Sequence, residues 1–344
     1  MLRLLPDYDN ACGVFEQVRR LSTIPFIKFA ELRRRGLVYR ERIERARHLE
    51  ELGASALFAC RQKARALRKI DRLYFESESR GTVVFRDRFS GATYEFETKE
   101  LWPALRRLAR VSTLDVSSTS DFCVKVVGDS LRDLMATTYG EKDGLRKWRR
   151  LKDRGFWEKV VLDNSARVVV AARIDFSSPG TTVLACWSDR PMFLASPNYI
   201  AEGLAGPKEE HFLCMWLNSS YGVLQLLPAT SATRGSWTRI ERFTLDRMWI
   251  PDFHAFSKDL WERSERLWAN TSCMDVTSLV GQLSQRSKFR RVLDQGLIDL
   301  LGFKEESAHA TSGETLRKGL ASAILALRES MGSGRKPASD EVAE

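Results

Sequence analysis

Thirteen residues, Leu145 to Trp157 (LRKWRRLKDRGFW), hold six Lys/Arg and two Trp. Cations interleaved with indoles suit a nucleic acid, because charged heads meet phosphates while aromatic faces stack on bases. The same spacing also places Leu145, Trp148 and Leu151 on one side of a helix, which is ordinary core periodicity. Arg149 and Arg150 are the candidate DNA contacts of this stretch. A second basic set lies in Ala54 to Tyr74. There Arg65, Arg68, Lys69 and Arg72 surround an apolar side built from Leu57, Ala64, Leu67, Ile70 and Leu73. Few acids offset them, so this helix is the better candidate for following a phosphate backbone.

The third set surrounds a loop of small polar residues, Ala229 to Ser236. Arg234 has no acidic neighbour in sequence and is placed to reach a phosphate or a base edge. Gly235 lets the backbone approach a partner closely. Trp237 starts the strand that follows and is expected to anchor in the core, and Arg239 on that strand is a further DNA-binding candidate. Asn218, Ser219 and Ser220 interrupt an apolar helix, where an unpaired amide or hydroxyl is costly. They need partners, either nearby backbone or a ligand, and Asn218 joins the candidate DNA contacts.

Other chemistries find no support. The chain has no Gly-x-x-x-x-Gly-Lys-Ser/Thr run for nucleotide phosphates and no His-Glu-x-x-His for zinc. His48, His211, His254 and His309 lie far apart and have no ligand spacing. Asp87, Glu95 and Glu97 mimic a nuclease acid cluster, and a solvated strand face explains the two glutamates.

Charge narrows the partners. The formal net charge is +10 over 344 residues. Met1 to Arg110 hold 24 Lys/Arg against 15 Asp/Glu, so the surplus is concentrated in the first third. A localised surplus suits a polyanion. Hydrophobic residues are 43% and charged ones 29%, a globular balance. No apolar run is long enough for a membrane span. The start, MLRLLPDYDN, lacks a signal-peptide pattern, and six scattered cysteines show neither zinc nor disulfide spacing. A cytoplasmic location is expected.

The elements that must position these residues read as an α+β chain. A basic helical N-terminal part spans 1–80, with helices over Phe26 to Glu51 and Ala54 to Tyr74. A central mixed domain of short strands around a buried helix spans 81–255. It holds a hairpin over Thr82 to Thr98, a strand over Phe122 to Val127, a helix over Ser130 to Met135 and a loop over Gly140 to Gly144. Further strands are Val168 to Ile174, Val183 to Trp187 and Met192 to Ala195, followed by a buried helix from Leu213 to Leu227. Trp237 to Phe243 reads as a strand, Thr244 to Arg247 as a turn, and Met248 to Ile250 as a strand ended by Pro251. Helices over 253–269, 279–301 and 311–331 follow, the C-terminal helical part spans 256–331, and 332–344 is expected to be a disordered tail.

That order of segments resembles the C-terminal, target-recognition region of N6-adenine DNA methyltransferases of restriction-modification type. The resemblance is carried by Leu-Asn-Ser-Ser (217–220), Arg-Gly-Ser-Trp (234–237) and Trp-Ile-Pro-Asp (249–252), taken as an ordered set. Ala171-Ala172-Arg173-Ile174 continues it upstream, and Arg290-Arg291-Val292-Leu293-Asp294 with Leu300-Leu301-Gly302 downstream. Leu101 to Arg107 looks like the segment by which such enzymes enter the recognition region. The family's catalytic signatures are missing. There is no Gly-rich turn after a strand for S-adenosylmethionine and no Asn/Asp-Pro-Pro-Tyr/Phe for a flipped adenine.

The resemblance therefore implies a non-catalytic DNA-recognition protein that binds double-stranded DNA. S-adenosylmethionine is expected on a partner methyltransferase catalytic subunit, not on this chain, and a surviving gene fragment is a variant of the same reading. A protein-protein scaffold with a basic face and an unrecognised nuclease are the alternatives. Salt dependence separates the first two, and metal-dependent cleavage would single out the third.

Overall fold

Val168, Val169 and Val170 are all buried, and an unbroken apolar run of this kind is what a strand covered on both faces requires. The strand that holds them lies inside a ten-stranded sheet. The structure, a computed structural model, describes residues 6–41, 58–61, 72–106, 108, 111–125, 129–153, 161–176, 178, 180–194, 198–227, 231–232, 238–283, 287–302 and 312–332.

The chain begins with α1 (Pro6–Leu21), β1 (Phe26–Lys28), α2 (Phe29–Arg34) and β2 (Val38–Glu41). Six strands come next: β3 (Phe58–Cys60), β4 (Leu73–Ser79), β5 (Thr82–Asp87), β6 (Thr93–Glu97), β7 (Leu101–Leu105) and β8 (Asp121–Val124). Helices α3 (Asp129–Tyr139) and α4 (Glu141–Asp153) precede β9 (Ser165–Ala171), β10 (Arg173–Ile174), β11 (Ala185–Leu194) and β12 (Asn198–Glu202). The central helices are α5 (Pro207–Asn218) and α6 (Ser220–Leu226), followed by β13 (Ser231–Ala232), β14 (Thr238–Arg239), α7 (Arg242–Arg247) and β15 (Trp249–Pro251). Helices α8 (Lys258–Thr271), α9 (Leu279–Leu283), α10 (Lys288–Leu301) and α11 (Ser312–Gly332) complete it.

The large sheet runs β2-β12-β9-β11-β7-β8-β3-β4-β5-β6. Neighbours are antiparallel except β11 with β7 and β3 with β4. The chain is therefore α+β. Strands β10, β14 and β13 form a small second sheet, and β1 pairs with β15. Among the described residues two apolar clusters fill the interior. The larger joins α1, the central strands, α5, α6 and the C-terminal helices. The smaller packs the β4 to β8 strands against α3 and α4.

The hairpin expected at 82–98 is present as β5 and β6, turned at Gly91. The helical reading of the first 80 residues needs correction. Phe26–Lys28 is a strand, Val38–Glu41 is a strand against β12, and the segment expected as a second helix contains β3 and begins β4. Residues 42–57 and 62–71 lie outside the described residues. Cross-strand partners far along the chain, β15 for β1, β12 for β2 and β8 for β3, outweigh local helical periodicity here. Such pairing crosses the boundary expected at 80, while the β1–β15 ladder and the α1–α11 packing join the N-terminus to both later parts.

Further differences have local causes. Helix α4 starts at Glu141, where a loop was expected. Gly144 makes this fit, because a Cβ there would lie 2.3 Å from the Met135 carbonyl oxygen on α3. Val183 to Trp187 and Met192 to Ala195 are largely one strand, β11, whose register shifts between Trp187 and Met192. The strand expected over Trp237 to Phe243 stops at Arg239, and the expected turn after it belongs to helix α7. The buried 213–227 helix is two helices, parted at Ser219. The 279–301 helix is also two, α9 and α10. Gly332, expected in the tail, ends α11, and residues 333–344 lie outside the described residues.

Candidate nucleic-acid interface

Asn218 is buried, and its side chain is fully used inside the protein. Its Oδ1 accepts from the Leu184 amide at 2.7 Å and the Ala185 amide at 3.4 Å. Its Nδ2 donates to the Ala185 and Cys214 carbonyls, both at 2.8 Å. The amide thus caps the start of β11 and leaves no polar group for DNA, so its placement among the DNA contacts is corrected. Ser219 donates to the Trp216 carbonyl at 2.6 Å and caps α6 by accepting from the Gly222 amide at 3.2 Å. The partners that these mid-helix polar residues require are the protein's own.

Arg72 also serves the fold. Its Nε lies 2.6 Å from Oδ2 of Asp87, which is fully buried, while Asp87 Oδ1 accepts from the Phe89 amide at 2.8 Å. An arginine held against a buried carboxylate anchors the hairpin, and truncating it would strand that charge. The same pair removes Asp87 from a nuclease cluster with Glu95 and Glu97. Arg239 is half-buried on β14, 3.3 Å from Glu241. Arg65, Arg68, Lys69, Arg234, Gly235 and Trp237 lie outside the described residues.

Helix α4 divides its two kinds of residue cleanly. Leu151 is buried, and Trp148 packs against the smaller core, so the indole is a core anchor. Lys152 and Lys147 reach over aromatic rings, Trp148 at 5.1 Å and Tyr139 at 4.7 Å. Arg149 and Arg150 are exposed, and neither has a carboxylate within ion-pair distance among the described residues. They are therefore available to a polyanion.

A second cationic surface escaped sequence reasoning because its parts are more than 200 residues apart. Helices α2 and α7 face each other across an open cleft of about 370 Å³, lined by Ile27, Lys28, Ala30, Glu31, Arg34, Asp246 and Arg247. The backbone ladder between β1 and β15 fixes its floor, with Lys28 opposite Trp249. Lys28 Nζ sits 3.7 Å from the centre of the Trp249 ring, and the Arg19 guanidinium carbon 4.4 Å from the same ring. Burial lowers the Lys28 pKa, and repulsion from Arg19 adds to it. Glu16, hydrogen-bonded to Arg19 and Arg20, is held at about 2. Phe243, on α7, is 52% exposed with the Arg247 guanidinium 5.5 Å from its ring.

Among the described residues no three His, Cys, Asp or Glu side chains gather as a metal site would need, and no helix is long and apolar enough to cross a membrane. His211 and Glu265 pair at 3.1 Å. All six cysteines are free thiols, and burial raises the pKa of Cys123, Cys186 and Cys214.

No protein-family model and no curated protein sequence matches the chain. Among solved structures it is similar to the type IIG restriction endonuclease BpuSI, with a TM-score of 0.60 and 13% sequence identity. The match covers 93% of this chain and 34% of that one. At that identity the two share a fold. The chain spans about a third of the length of the protein it matches.

Proposed function

We propose that this chain is the DNA-recognition part of a restriction-modification system of the adenine-N6-methylating kind. One observation carries the reading: nearly the whole chain adopts a fold found within a type IIG restriction endonuclease. The order of the Leu-Asn-Ser-Ser, Arg-Gly-Ser-Trp and Trp-Ile-Pro-Asp segments points to the same class independently. In this reading the chain binds duplex DNA through unpaired basic side chains, Arg149 and Arg150 among them. A methyltransferase catalytic subunit supplies the S-adenosylmethionine site and flips the target base.

The test is fluorescence anisotropy with labelled duplex DNA over a salt series. Binding to phosphates releases counterions, so log Kd rises with log salt by about 0.9 for each phosphate contact. A scaffold that meets only protein would show no such binding. Replacing Arg149 and Arg150 by Gln should lower affinity on every sequence, because phosphate contacts position and do not specify. Duplex affinity that is absent at low salt overturns the reading.

A further inference from the structure

We propose that the cleft between α2 and α7 grips a backbone phosphate of duplex DNA, with Lys28 and Arg247 as its principal cations and Arg34 at its rim. This rests on the DNA-recognition reading and assigns the contact to a surface that no sequence motif marks.

The argument begins with charge. Each carboxylate around the cleft already has a guanidinium. Glu31 is 2.9 Å from Arg34 and 3.5 Å from Arg35. Asp246 is 3.2 Å from Arg33, and Asp252 is 3.0 Å from Arg35. Glu16 is 2.5 Å from Arg19 and 3.0 Å from Arg20. Two cations are left over. Lys28 and Arg247 have no carboxylate within ion-pair distance among the described residues, and they are neighbours, since Lys28 Nζ donates to the Arg247 carbonyl at 2.8 Å.

Like charges brought together this way repel unless an anion joins them. The protein offsets only part of the repulsion. Trp249 lies under both Lys28 and Arg19, and a ring face attracts a cation by about 0.5 to 2 kcal/mol. Lys28 donates to a carbonyl, which satisfies one of its three protons. The remaining donors of Lys28 and the guanidinium of Arg247 are free for a phosphate oxygen. Arg34 is 78% exposed, so it can swing to the ligand without unsettling the fold.

A free phosphate ion offers the same oxyanion chemistry, but two features favour the polymer. The cleft is open along the surface, as a strand of linked phosphates requires. Beside it stands Phe243, an exposed ring on the same short helix as Arg247. The ring carries the Arg247 guanidinium at 5.5 Å, and its exposed remainder can lie against a sugar or base edge of DNA, which a lone phosphate ion does not offer.

The experiment compares the full chain with a Lys28→Gln/Arg247→Gln variant and with Arg34→Gln, by anisotropy on duplex DNA across a salt series. Urea midpoints establish that each variant is folded, and Arg247→Gln alone replaces the double variant should that one unfold. The double variant is expected to bind roughly tenfold more weakly per lost phosphate contact at 0.1 M salt, with a salt slope reduced by about 1 to 2. Arg34→Gln should move both quantities in the same direction by less. Equal affinity and slope for variant and parent overturn the cleft while leaving DNA recognition standing, and a parent chain that binds no duplex overturns both. Weaker binding at an unchanged slope means the contact is not to phosphate and also overturns the proposal. Calorimetric binding of inorganic phosphate, lost in the double variant while its DNA affinity stays intact, assigns the cleft to a free ion instead.

Discussion

Asp294 accepts two hydrogen bonds from Ser220, one from its amide at 2.9 Å and one from its hydroxyl at 2.6 Å. Both residues are fully buried or nearly so, and the contact seats α10 on the break between α5 and α6. One turn earlier on α10, Arg290 donates to the Asn218 carbonyl and, at 2.6 Å, to Gln282 Oε1 on α9. Arg317 on α11 lies 3.6 Å from Asp294. The helix break is thus a polar socket into which three later helices plug. A break inside an apolar core exposes backbone groups that must find partners, and these side chains supply them.

The socket predicts a coupled loss of stability. Asp294→Ala leaves Arg317 and the Ser220 groups without their acceptor, at a cost of about 3 to 5 kcal/mol, as for other broken buried ion pairs. Ser220→Ala removes one hydrogen bond and should cost about 1 to 2 kcal/mol. Urea unfolding of both single variants and the double variant measures the coupling. Additive losses would show that the two residues do not act together.

Asn218 and the Arg149/Arg150 pair should behave as opposites. Asn218→Ala orphans the Leu184 amide and the Ala185 carbonyl at the edge of β11. Each stranded group costs about 1 to 3 kcal/mol, and DNA affinity of the protein that remains folded should be unchanged. Replacing both arginines by Gln should keep stability within about 0.5 kcal/mol and weaken DNA binding. Thermal melts beside anisotropy separate the two cases, and a reversed pattern would restore Asn218 to the interface.

What the sequence made legible follows from range. The 82–98 hairpin was readable because its turn and its pairing partner are within a few residues. The buried central helix was readable from its leucines. Its break was not, because Ser219 caps the second helix only once Asp294 and Arg290 arrive to satisfy Ser220 and the Asn218 carbonyl. Those residues belong to segments that carry the resemblance, so the resemblance traces a buried skeleton as much as a binding surface. Trp249 behaves likewise, taking the Trp216 indole N–H on its carbonyl at 3.0 Å and accepting Lys28 on its ring. Strands β2 and β3 were missed because their partners, β12 and β8, lie far along the chain. The α2–α7 cleft had no local signal at all.

Close helix packing gives a third prediction. Gly319 on α11 meets α1 so tightly that an added Cβ would lie 2.4 Å from both the Asp7 carbonyl oxygen and the Ala11 Cβ. Backbone cannot yield as a flexible side chain can, so Gly319→Ala must push the helices apart. Despite the better helix propensity of alanine, a net loss of about 1 to 3 kcal/mol is expected, the usual cost of overpacking. A raised melting temperature would refute this packing.

His211 supplies the pH dependence. Its ring is stacked on Trp268 at 4.3 Å and meets Trp187 edge-on at 4.4 Å. Nδ1 lies 3.1 Å from Glu265, which fixes the tautomer with Nδ1 as donor, while the buried Nε2 has no hydrogen-bond partner. Protonation would put a second N–H where nothing accepts it. Burial accordingly lowers the pKa, and the carboxylates that face the ring, Glu265 first and then Glu210 and Asp115, only partly oppose this. Glu210 is itself engaged, accepting from the Trp187 indole at 2.7 Å and lying 3.3 Å from Arg167. The unfolded chain takes up its proton near the ordinary imidazole value of about 6.5, before the folded protein does. Stability from this group is therefore fully present above that pH and falls as pH drops through it, until the folded imidazole also protonates. One proton limits the slope to about 1.4 kcal/mol per pH unit. His211→Phe keeps the stacking and removes the titration, so the stability gap between parent and variant should shift in the variant's favour as pH falls from 7 to 5. Urea unfolding at several pH values measures this gap, and a gap that stays constant across the range would show that His211 is not the group responsible.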